Sequence, residues 1–92
     1  MVKALRAAGI TGWSTNHPAG PYLIDIAFPD RGVAIEIDGW AFHSDPETFR
    51  NDRRRQNYLI VNRWQVLRFT WLDITAYPER VIATIRSAIS AR

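Results

Sequence analysis

Residues 34–43 read AIEIDGWAFH. Ala34, Ile35 and Ile37 call for a buried β-strand, yet Glu36 and Asp38 interrupt them. Side chains alternate across a strand, so the two acids share one face and the two isoleucines the other. A sheet covered on one side carries acids on its wet face. A sheet covered on both sides needs a reason to hold them. The flanking sequence bears on which applies.

Upstream stands YLIDIAF, residues 22–28, a second strand by its β-branched and aromatic content. Pro29-Asp30-Arg31-Gly32 is a turn by composition, so 22–28 and 33–38 are expected to form an antiparallel hairpin. Asp25 sits between Ile24 and Ile26 and is expected to face away from both. If the isoleucines cover one core, Asp25, Glu36 and Asp38 converge on the opposite face. Three such acids repel one another. A divalent cation reverses that repulsion, and an oxygen donor set suits magnesium. The alternative is a half-exposed sheet with its acids in water.

Downstream, Ser44-Asp45-Pro46-Glu47 has the form of a capping box with proline in the first turn, predicting a helix over 45–61. QVLRFTW, residues 65–71, reads as a third strand, parallel to 33–38 across the helical crossover. Pro78 opens a helix over 78–90 with Val81, Ile82, Ile85 and Ile89 on one stripe. At the other end, residues 2–8 read as a helix end closed by Gly9, and residues 11–21 as a loop. The fold class is α/β: one domain over 1–92, a mixed β-sheet flanked by helices.

On the 45–61 helix, Phe49, Gln56, Leu59 and Ile60 fit one face, and Asp52 falls on that inward side. An inward acid is either functional or ion-paired, with Arg68 as the candidate partner. Arg50, Arg53, Arg54 and Arg55 form either a solvated surface or a grip for phosphates. Trp40, Phe42 and Trp71 are core residues or stack on bases. His43, near the acids in the turn after Gly39, is a candidate general acid or base. His17 reads as structural or incidental.

A chain of 92 residues supports one small core, and its 47% hydrophobic content is enough to fold it. A dimer, an upstream domain or a partner protein is an alternative source of stability. The net charge of +3 permits an anionic partner such as DNA. The absence of cysteine excludes a disulfide framework and a cysteine zinc site. No apolar run is long enough for a membrane helix, and the start has no signal-peptide stretch. The expectation is a cytoplasmic protein without a membrane partner.

Asp25 followed by EIDGWAFH, RNDRRRQNYL and WQVLRFTW closely resembles the very-short-patch-repair (Vsr-like) branch of the PD-(D/E)XK nucleases. The resemblance is closest to the short bacterial proteins grouped as domain-of-unknown-function family 559, and it covers roughly residues 20–90. It implies a restriction-endonuclease-like fold and DNA cleavage dependent on Mg2+ or Mn2+. Asp25 matches the family's metal-binding aspartate, Glu36 the acid of the (D/E)XK element, and Ile37 the backbone carbonyl ligand. Asp38 stands where most such enzymes carry lysine and the repair enzyme histidine, and is a further candidate ligand. His43 and Asp52 match the family's histidine and helical aspartate. The implied catalytic set is Asp25, Glu36, Asp38, His43 and Asp52. The implied DNA contacts are Arg50, Arg53, Arg54, Arg55 and Trp40.

The chain departs from the family in three places. No acid precedes Asp25, whereas the family carries a glutamate on its first helix, so the chain reads as starting partway through that helix. Arg63 replaces a glycine before the third strand, and Asn62 is expected to take the left-handed helix end. Asp38 removes a positive charge. Two readings compete with a nuclease. One is a catalytically inactive nuclease-like domain that binds DNA or a protein partner, for example beside an antitoxin-like module. The other is a small dimeric α/β protein with exposed acids.

Overall fold

A computed structural model describes residues 1–38 and 46–91. The elements run α1 (Val2–Ala7), β1 (Ser14–Ala19), β2 (Tyr22–Phe28), β3 (Val33–Asp38), α2 (Pro46–Val61), β4 (Gln65–Thr70), α3 (Trp71–Ala76) and α4 (Pro78–Ser90). The sheet has the order β1-β2-β3-β4. The first two pairings are antiparallel, and β3 pairs parallel to β4 across the α2 crossover; the second and third pairings are as the sequence predicts.

The sheet is covered on both faces. Ile26, Phe28, Val33 and Ile35 pack with Leu5, Ile74, Val81 and Ile85, which brings α1, α3 and α4 to one side. Ala27 and Ala34 pack with Leu59 of α2 on the other. The small alanines let α2 lie close to the sheet. Glu36 of β3 is therefore beneath a helix, and the half-exposed alternative does not hold for it; the Asp38 side chain stays part-exposed.

Two segments depart from the sequence reading. Residues 14–19, expected as loop, form β1. Pro18 is compatible with a strand there because β1 is a sheet edge, where a missing N–H breaks no inner ladder. β4 ends at Thr70, and Trp71, expected as the last residue of that strand, begins α3, a helix not foreseen. Its signal was present as Thr70-x-x-Asp73, a capping box in which Thr70 Oγ1 accepts from the Asp73 N–H at 3.1 Å and Asp73 Oδ2 accepts from the Thr70 N–H at 2.9 Å.

Helices α1 and α2 end alike. Gly9 has φ +70°, its N–H donates to Arg6 O, and the Ile10 N–H donates to Leu5 O. At α2 the left-handed residue is Arg63, also at φ +70°, with the Trp64 N–H donating to Leu59 O at 2.9 Å. This double closure is the Schellman motif. Asn62 was the expected left-handed residue. Instead its side-chain Nδ2 donates to Tyr58 O at 2.8 Å.

Candidate active site

The sheet opens at Asp25. In the β1–β2 ladder, Asn16 and Asp25 fall between the paired positions Thr15↔Ile26 and His17↔Ile24, and Asn16 has φ +49°. The β2–β3 pairing ends at Ile26↔Ile35. Beyond it, Asp25 Oδ2 accepts from the Ile37 N–H at 2.9 Å, so a side chain takes the place of a strand carbonyl. The alternation of β2 breaks here: Ile24 joins the α2-side cluster and Ile26 the opposite one. The expectation that both isoleucines share a face is corrected by this kink.

Glu36 is the described acid carried furthest from water, at 3% exposure. Arg55 Nη2 donates to its Oε2 at 2.7 Å and to Leu23 O at 2.6 Å. Glu36 Oε1 is buried without a hydrogen-bond partner. The neighbouring Asp25 carboxylate has no proton to offer it when both are ionised. Burial pushes the Glu36 carboxyl up to about 7; Arg55 opposes the rise and Asp25 adds to it.

Asp38 and Asp52 belong to a separate network. Arg68, opposite Glu36 in the β3–β4 register, donates through Nη2 to Asp38 Oδ1 at 2.6 Å and meets Asp52 Oδ2 at 2.9 Å. Its Nη1 donates to Gln56 Oε1 at 2.9 Å. The hydrogen bond to Asp38 holds the guanidinium still more firmly in its charged form. Asp52 thus takes the ion-pair alternative that its inward position left open. Its side chain is 40% exposed and that of Asp38 39%.

The inward face of α2 is Asp52, Arg55, Gln56 and Leu59, more polar than expected; Ile60 is 51% exposed and lies off it. Arg55, expected to face DNA, turns inward to Glu36. The signal for this was its spacing, three residues after Asp52 and four before Leu59. Arg50 and Arg54 are exposed, and Arg53 is exposed with a partner of its own. Trp40, Phe42, His43 and the Ser44-Asp45 half of the capping box lie outside the described residues, as does the side chain of Phe49. His17 is structural, as expected: its Nδ1 lies 3.2 Å from Ser14 Oγ, and its ring meets Trp64 edge-on at 5.8 Å.

Asp25 opens into a cleft of about 620 Å3 between α1 and the parted strands, lined also by Lys3, Thr15, Asn16, Ile37 and Trp71. A cavity of similar size, about 630 Å3, lies away from the acids beside the end of α1, where Arg86 Nη2 donates to Ala8 O at 2.6 Å. Among the described residues no three His, Cys, Asp or Glu side chains gather as a metal site. The expected convergence of Asp25, Glu36 and Asp38 thus reduces to the pair Asp25 and Glu36. Two carboxylates still fit magnesium, which is commonly held by one or two and completes its shell with water and phosphate oxygens. The unpartnered Glu36 Oε1 is the observation that favours a cation here.

The family model REase_MTES_1575 matches residues 1–89. The Escherichia coli (strain K12) protein YcjD, itself described as uncharacterized, is 33% identical over 76 residues, which are 83% of this chain and 62% of YcjD. The chain thus spans less than two thirds of that relative. The catalytic domain of the homing endonuclease I-Bth0305I superposes with a TM-score of 0.77 at 19% identity, covering 98% of this chain and 89% of that one. That likeness shows a shared fold. No helix among the described residues is long and apolar enough to cross a membrane.

Proposed function

The chain belongs to the restriction-endonuclease-like family REase_MTES_1575, and from that premise we propose that it is a metal-dependent endodeoxyribonuclease of the Vsr-like kind, hydrolysing a phosphodiester bond in DNA. The observation that carries the reading is the Glu36–Asp25 pair. An acid at 3% exposure, with one oxygen unpartnered beside a second acid, is destabilising in a purely structural protein. It is useful where a cation and a phosphate come to rest.

Asp25, Glu36 and the Ile37 carbonyl would hold Mg2+ or Mn2+. When bound, the ion polarises the scissile phosphate and lowers the pKa of an attacking water. Arg55 keeps Glu36 Oε2 engaged and leaves Oε1 available. Asp25 is oriented by the Ile37 N–H. Asp38 gives Oδ1 to Arg68, which anchors the end of β3, and it is not gathered with Asp25 and Glu36 among the described residues. His43 is the candidate for proton transfer to the leaving oxygen. Arg50 and Arg54, with Arg53 and Trp40, would track the DNA backbone. A single site cuts one strand, so nicking is the expected product.

The test is conversion of supercoiled plasmid to the nicked form with Mg2+ or Mn2+, compared with Asp25→Asn. Asparagine can still accept from the Ile37 N–H, so the fold survives while the charge is lost. Nicking that needs the metal and vanishes in the variant supports the proposal. Asp38 and Asp52, both tied to Arg68, favour a second reading: a nuclease-shaped domain that binds DNA or a protein partner without cutting. Tight metal-independent DNA binding with no nicking would select it.

A further inference from the structure

We propose that the cleft at Asp25 is a subsite for one strand of DNA with an unpaired nucleotide: Lys3 binds its phosphate and the indole of Trp71 stacks on its base. The inference rests on the nuclease reading for its biological sense, but on separate residues for its evidence. The cleft is open to solvent and about 620 Å3 in volume, room for a nucleotide laid along it.

Lys3 is the cationic side chain among the cleft's described lining residues. It is exposed, and among the described residues it has no ion-pair partner, Asp25 included. Among the described residues no arginine lines this cleft, and several arginines are engaged elsewhere. Arg6 lies over the Trp13 ring, Arg80 over Tyr77, Arg86 on the Ala8 carbonyl, Arg55 on Glu36 and Arg68 on Asp38. A lysine left without an anion, in the cleft that also holds an oriented carboxylate, has the chemistry to take a phosphate beside the acid. Lysine suits a single phosphate as a mobile point charge.

Trp71 is 40% exposed and has no ring partner among the described residues. It begins α3 directly after the Thr70 cap, so its backbone is fixed. An exposed indole on a fixed backbone, beside a cation, is a stacking platform for a base freed from its duplex neighbours. The third feature is Asn16, whose φ of +49° interrupts the β1–β2 ladder on the wall of the same cleft.

The test is fluorescence anisotropy with a labelled single-stranded oligonucleotide and a duplex of equal length, in EDTA, across a salt series. The proteins are the wild type, Lys3→Ala, Lys3→Arg and Trp71→Ala. The wild type is expected to prefer the single strand. Lys3→Ala should weaken binding about five- to tenfold and flatten the log Kd against log salt slope by about 0.7, the loss of one phosphate contact on a single strand. Lys3→Arg should restore both. Trp71→Ala should weaken binding about tenfold with the slope unchanged. Wild-type affinity and slope in Lys3→Ala, or no binding of either oligonucleotide by the wild type, overturns the subsite. Plasmid nicking is scored separately. Nicking with an unaltered Lys3→Ala sinks the subsite and spares the nuclease; Lys3-dependent binding without nicking does the reverse.

Discussion

Arg55 Nη2 stands 2.7 Å from Glu36 Oε2, while Glu36 Oε1 is buried with no hydrogen-bond partner. One oxygen of the acid is bound and the other is left open. The pair is asymmetric in exposure too: the Arg55 side chain is 24% exposed and that of Glu36 4%. The arginine can be rehydrated if the contact breaks, and the glutamate cannot.

Removing the arginine is therefore the more damaging change. Arg55→Ala strands a buried acid and also frees the Leu23 carbonyl. A loss of about 2 kcal/mol is expected at pH 8, less than for a fully buried pair because Arg55 reaches water. Glu36→Gln should be neutral or stabilising at the same pH. Its amide keeps an acceptor for Arg55 and supplies a donor next to Asp25. Urea unfolding of the two variants beside the wild type measures both, and equal destabilisation by the two would contradict the asymmetry.

The pH dependence follows from the same acid. Glu36 titrates at about 7 in the folded protein against 4.5 as its ordinary value, so between these the folded state holds the proton more tightly. That contribution is fully present below pH 4.5 and is lost as pH rises through 7, a swing of about 3 kcal/mol. In EDTA, wild-type stability should fall from pH 5 to 8 relative to Glu36→Gln. A difference between the two that stays constant across that window would contradict the shift.

Metal binding separates Asp25 from Asp38. Calorimetric titration with Mn2+ should show binding by the wild type that is lost in Asp25→Asn. Asp38→Asn should retain affinity within about threefold, because Asp38 belongs to the Arg68 network and not to the Asp25–Glu36 pair. Binding should release a proton near pH 6.5, since Glu36 must ionise to serve as a ligand. Equal losses in the two variants would make Asp38 a ligand and Arg68 its displaced partner.

Arg63 carries a left-handed φ of +70° at the end of α2, where Gly9 does the same work after α1. Arg63→Gly should raise stability by about 0.5 kcal/mol: it relieves a penalty of about 1–2 kcal/mol and loses part of that gain to the freer unfolded chain and to the partner that Arg63 gives up. Gly20→Ala should do the opposite. Gly20 has φ +59°, and a β-carbon there would meet the Tyr58 hydroxyl and ring. Thermal melts of both variants check the two signs together.

The order and direction of most elements were legible in local sequence. Period-two strands in YLIDIAF and VAIEID, the turn between them and the Val81–Ile85 stripe report contacts within a few residues, which composition records. Asp25, Glu36 and Asp52 could be chosen as the acids out of place for the same reason, because alternation and helical spacing are local. Tertiary structure decided how those acids are used. Whether Asp52 faces a ligand or Arg68, whether Arg55 points to solvent or to Glu36, and whether Lys3 shares a cleft with Asp25 depend on contacts across β3, β4, α1 and α2. The kink at Asp25 belongs with these. There a carboxylate accepts the Ile37 N–H twelve residues away, and no periodicity within one strand encodes a partner on the next.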